Sequence, residues 1–116
     1  VGDTGLGDAV ATALARFGAS ASGPLIDALG SPDAAVRGNA AESLALIGDP
    51  AGAAQLAATL DDPDPTVRFA ALFALGELPG ETAGNAIAGA VESDDARVRA
   101  LATRLRADRA GGAPRG

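Results

Sequence analysis

The sequence predicts an all-α fold, a right-handed solenoid of about three and a half stacked antiparallel helical hairpins, and three observations predict it. The chain matches itself at an offset of 31 residues. Each copy carries apolar residues at helical spacing, and Gly, Pro and Asp break every copy at equivalent places. Asp33, Asp64 and Asp95 fall in one column, followed by Val36, Val67 and Val98, then Arg37, Arg68 and Arg99, then Ala40, Ala71 and Ala102. Upstream, Leu25, Leu56 and Ile87 form a column, and Leu29, Leu60 and Val91 form another. Such a period is the signature of a repeat architecture, in which one hairpin cannot bury its apolar face until a neighbour covers it.

Residues 1–108 read as one repeat domain. A worn half-repeat at 3–18 aligns Asp3, Leu6 and Gly18 with Asp33, Val36 and Gly48, but has Gly7 in the Arg column. Full repeats follow near 23–48, 51–79 and 82–108. In each, the first helix is short, as at 51–60, with Leu56 and Leu60 four apart. The second begins at the Asp column, where a carboxylate can accept from free backbone N–H groups, and runs about 14 residues. In the first full repeat Val36, Ala40, Ser43, Leu44 and Ile47 share its inward face, and Phe17 and Leu78 fall in the Ile47 column. Gly48-Asp49-Pro50 ends it, because Gly suits the left-handed turn beyond a helix and Pro cannot continue one. The Gly- and Pro-containing segment 109–116 reads as a disordered tail.

Composition narrows the chemistry. The 116 residues are 47 % hydrophobic but 3 % aromatic, with 16 Gly, three Phe and no Cys, His, Met, Trp or Tyr. Without Cys or His there is no thiol nucleophile, imidazole base or zinc site of the usual kind, so neither a catalytic nor a metal site is expected, and no cofactor. The net charge of −6 disfavours nucleic acid and anionic membranes as partners. No apolar run approaches the ~18 residues that span a bilayer, and a cytoplasmic location is expected.

The stretches from Asp33 to Pro50 and from Asp64 to Leu78 resemble the short HEAT-like repeat of the type named after phycobilisome lyases, over roughly residues 3–108. The resemblance implies a protein-binding scaffold whose second helices line a concave surface. It also leaves open a bilin-lyase-like enzyme subunit, or a structural stretch of a longer HEAT-repeat protein. The iron-binding hydroxylases among HEAT-like proteins use His-Glu pairs, and this chain has no His.

Three groups of side chains stand out. The pairs Asp33/Arg37, Asp64/Arg68 and Asp95/Arg99 have helical spacing and read as a structural polar ladder between successive repeats. Asp61, Asp62 and Asp64, and equivalently Glu92, Asp94 and Asp95, read as capping turns, since neither cluster has the spacing of a calcium loop. The third group is aromatic. Phe69 and Phe73 occupy the columns of Gly38 and Glu42, which point away from the core, and lie one turn apart. With Asn39, Glu42, Leu72, Leu101 and Arg104 they would form a patch and shallow groove that binds a partner helix or peptide. Against this stand two alternatives: cover by the rest of a longer protein, and an ordinary core role.

Charge is also uneven. Residues 1–96 hold 14 acids and 3 Arg, whereas residues 97–116 hold 6 Arg and Asp108 alone. The basic end reads as a solubilising cap, with Arg106 in the column of inward Leu44 and Leu75. It could also guide an acidic partner, or self-association through a repeat end.

Overall fold

The computed structural model describes residues 22–111, and all regular structure within them is helical. Three hairpins follow one another. The first pairs α1 (Ser22–Ala28) with α2 (Ala34–Ile47), the second α3 (Ala53–Thr59) with α4 (Pro65–Gly76), and the third α5 (Glu81–Ala90) with α6 (Ala96–Gly111). A 3-10 turn, Pro50–Gly52, leads into α3 and shortens the first helix expected at 51–60. The half-repeat at 3–18, with Phe17, lies outside the described residues. No helix among the described residues is long and apolar enough to cross a membrane.

The second helices start where a carboxylate can meet their free N–H groups. Asp33 Oδ1 accepts from the Ala35 N–H at 2.9 Å, Asp64 Oδ1 from Thr66 at 2.8 Å, and Asp95 Oδ1 from Arg97 at 2.9 Å. Asp49 does the same for the 3-10 turn, accepting from Ala51 at 2.9 Å, while its other oxygen accepts from the buried Ser22 hydroxyl. Each such cap is worth about 1 kcal/mol. Gly48 ends α2 at φ 72°, a left-handed conformation that places its N–H on the Leu44 carbonyl. Any residue with a Cβ would be strained there.

Within each hairpin the two helices pack together, and α4 lies between α2 and α6. The second helices run parallel. Arg37 in the first turn of α2 reaches Asp62 just ahead of α4, Arg68 reaches Asp95 just ahead of α6, and at the far end Gly76 meets Leu105. The buried core threads through all three hairpins, with Leu44, Leu56, Leu72, Leu75, Leu78 and Ile87 its largest members. Each contributes roughly 1.5–3 kcal/mol by leaving water, which explains how a nearly aromatic-free chain holds together.

Two details depart from the sequence reading. Val36, expected inward, is 40 % exposed, whereas Val67 and Val98 in its column are buried. The column faces the preceding repeat: a Cβ on Gly38 of α2 would lie 4.0 Å from Val67 Cγ2, while among the described residues no second helix precedes α2. The tail expected to be disordered from 109 is helical to Gly111. Arg109 accounts for this, since its Nη1 donates to the Leu78 carbonyl at 2.9 Å and its Nη2 to Gly80 at 3.1 Å, fastening the last turn of α6 to the end of α4. Arg106 is exposed where Leu44 and Leu75 are buried.

Candidate functional site

One edge of the stack carries the turns within the hairpins and both ion pairs between repeats. Each column arginine folds back on its own turn, Nη1 of Arg37, Arg68 and Arg99 donating to the carbonyls of Ser31, Asp62 and Ser93 at 2.8, 2.9 and 2.8 Å. The other nitrogens reach forward. Arg37 Nε and Nη2 donate to the two oxygens of Asp62 at 2.7 and 3.0 Å, and Arg68 Nε and Nη2 both donate to Asp95 Oδ2 at 3.2 and 2.8 Å. Asp33 and Asp64 cap their own helices and form no ion pair with the arginine four residues on. The first acceptor is thus Asp62, two residues ahead of the Asp column, and the second is Asp95 within it. The Arg37 guanidinium holds the Asp62 carboxyl below the usual carboxylate range, and Arg68 does the same to Asp95, in each case against the opposing effect of burial. Asp62 in turn holds Arg37 still more firmly protonated.

A groove of about 790 Å³ opens beside this edge, lined by Asp61, Asp62, Asp94, Asp95 and Glu92 from the two turns and by Asn85 and Ala86 of α5. Two of its five acids are committed to the structure, because Asp62 and Asp95 hold arginines and Asp95 also caps α6. Among the described residues no group of three or more acids is placed to hold a metal ion.

The outer ridge of the second helices forms a different surface. Phe73 is 49 % exposed on α4. Phe69, one turn earlier, is half-buried, with the Arg97 guanidinium 5.3 Å from its ring centroid, a cation–π contact worth about 0.5–1 kcal/mol near solvent. Asn39 and Glu42 line a shallow groove of about 320 Å³ between α2 and α4, open because Gly38 contributes no side chain. Arg104 is exposed on α6, and Leu101 is half-buried against the core. Leu72 does not belong to the patch. It is fully buried, because its flank of α4 is turned toward the following hairpin.

Leu46 belongs in its place. It is 62 % exposed on α2, eight residues beyond Gly38 and four beyond Glu42, hence on the same ridge. Carrying the outward column one turn further along the sequence identifies it. Arg97 was also legible, since facing residues on neighbouring second helices are 29 apart, as Gly38 and Val67 are, which sets the start of α6 beside Phe69.

No curated protein matches the chain closely enough to count as a relative. Residues 22–105, which include all three hairpins but the end of α6, match the sequence profile of HEAT repeats; the chain therefore belongs to that family, whose repeats generally mediate protein–protein interaction.

Proposed function

We propose that this protein is a non-enzymatic scaffold that binds a partner helix or extended peptide on the concave face formed by its second helices, and that it acts in the cytoplasm. One observation carries the reading. Phe73 and Leu46, two of the three exposed large apolar side chains among the described residues, stand on the same outer ridge of neighbouring parallel helices. The Asn39 and Glu42 groove runs between those helices, with Arg104 on the next. Exposed apolar side chains rimmed by polar ones suit the anchor residue of a partner. The helices are held by buried leucines on their opposite sides, so the surface is rigid before the partner arrives and little ordering entropy is lost on binding. A non-enzymatic role is supported by the absence of His and Cys and by the commitment of the best-placed carboxylates to arginines.

The test is Leu46→Ser with Phe73→Ser. Leu46 is mostly in water and Phe73 about half, so the double variant is expected to keep its helicity and to lose only about 1–2 kcal/mol of stability. Partners captured by the parent chain are expected to be lost. Capture that survives the double variant, with the fold intact, places the partner surface elsewhere.

A further inference from the structure

We propose that the flank of α6 takes the first hairpin of a second copy of this chain, repeating between molecules the joint that α4 makes with α6 inside one. The two halves of that joint are both present, and nothing among the described residues covers either. On the giving side, Arg99 Nη1 is folded onto the Ser93 carbonyl at 2.8 Å, as in the two earlier arginines of its column. Its other nitrogens differ. Arg37 and Arg68 set theirs on a carboxylate of the next repeat, but no carboxylate among the described residues lies within ion-pair distance of Arg99. Ala100, Thr103 and Ala107 beside it are exposed, although they occupy the columns of Phe69, Leu72 and Gly76 that face the next repeat.

On the receiving side, Ser31-Pro32-Asp33 reproduces Ser93-Asp94-Asp95, the turn that Arg68 holds. The match is atomic. Ser31 Oγ accepts from the Asp33 N–H at 3.1 Å and Ser93 Oγ from the Asp95 N–H at 3.0 Å, and each Asp uses Oδ1 to cap its helix. Asp95 gives its remaining Oδ2 to Arg68, whereas Asp33 Oδ2 has no partner among the described residues. Val36 stands where Val98 is buried in the α4–α6 joint, and it is 40 % exposed. An Arg99 to Asp33 pair between copies would place the second copy's Val36 over Ala100.

Charge favours the same docking. Residues 22–96 carry 12 acids and 2 Arg, while residues 97–111 carry 5 Arg and one Asp, so one copy's last helix is drawn to another's body. Because the giving and receiving surfaces differ, the contact is head-to-tail and extends into chains unless its rotation closes a ring.

Sedimentation velocity of the full chain over a wide concentration range tests this. Mass is expected to rise with concentration and to fall as salt is added. Arg99→Glu and Asp33→Arg should each shift association to concentrations at least about tenfold higher, because each puts like charges face to face. Mixing the two variants in equal amounts should restore association, since each junction then pairs opposite charges. Circular dichroism monitors folding, and Arg99→Glu decides alone if loss of the Asp33 cap unfolds α2. A parent chain that stays monomeric at every concentration overturns the proposal. So does association that persists in folded Arg99→Glu, or a mixture of folded variants that does not recover, which would point to another surface or another class of partner.

Discussion

The joint between α2 and α4 and the joint between α4 and α6 draw on the same arginine column but close differently. In the first, Arg37 grips both oxygens of Asp62, the two side chains only 14 % and 7 % exposed, and the flank of α2 beside them offers Gly38, Ala41 and Ala45. In the second, Arg68 directs both nitrogens at one oxygen of Asp95, the pair is 25 % and 17 % exposed, and the flank of α4 carries Phe69, Leu72 and Gly76. Small side chains let α2 and α4 meet along more of their length, and the ion pair is enclosed with them. Larger ones shift the work of the second joint to apolar packing, and its ion pair sits closer to water. A repeat column therefore conserves a donor without fixing how much each joint relies on it.

The largest effect is expected where the joints differ in volume. Leu72→Ala makes the second joint resemble the first without its close approach, and should lower the unfolding free energy measured in urea by about 2–5 kcal/mol. Equal losses for Leu72→Ala and for Ala41→Gly would erase the distinction. The two glycines should respond in opposite directions. A Cβ at Gly76 would fall 2.7 Å from Leu105 Cδ2, so Gly76→Ala is expected to cost on the order of 1 kcal/mol despite better helix propensity. At Gly38 the nearest atom is 4.0 Å away, and Gly38→Ala should gain about 0.5–1 kcal/mol, read as a higher melting temperature.

The smallest effect is in acid. Asp62 and Asp95 titrate lower in the folded than in the unfolded chain, because each accepts from an arginine. Their contribution is complete above the ordinary carboxylate pKa of about 4 and disappears as the pH falls through their folded values. Asp62→Asn should flatten the acid limb of melting temperature against pH more than Asp95→Asn, the first pair being more enclosed. The reverse order would mean that exposure does not set the strength of these pairs.

Much of the fold is legible because it is local. Asp33, Asp64 and Asp95 start helices through their own side chains, and Gly48 and Pro50 stop one through backbone geometry, so the 14 residues of α2 follow from the sequence. What escapes a single helical wheel is the neighbour. A second helix in a stack is covered on its hairpin side and on both flanks, so Leu72 looks outward from its own hairpin yet is buried by the next. Val36 errs in the opposite sense, having an inward column but no preceding second helix among the described residues. The choice of Asp62 over Asp64 by Arg37 likewise depends on the advance between repeats, which periodicity in the sequence does not specify. Leu46 needed only the same ridge followed for one more turn.

The backward bond of each arginine to a carbonyl six residues earlier has a consequence for how such a molecule can change its length. Since Ser31, Asp62 and Ser93 hold Arg37, Arg68 and Arg99 in the same posture, each guanidinium is aimed before any neighbour is present. A duplication or deletion of one whole 31-residue unit would keep each arginine that has a following repeat facing an acidic turn, while an insertion of another length between repeats would shift that turn away from it. The stack is in this sense extensible in whole steps, with the arginine acting as the gauge of each step.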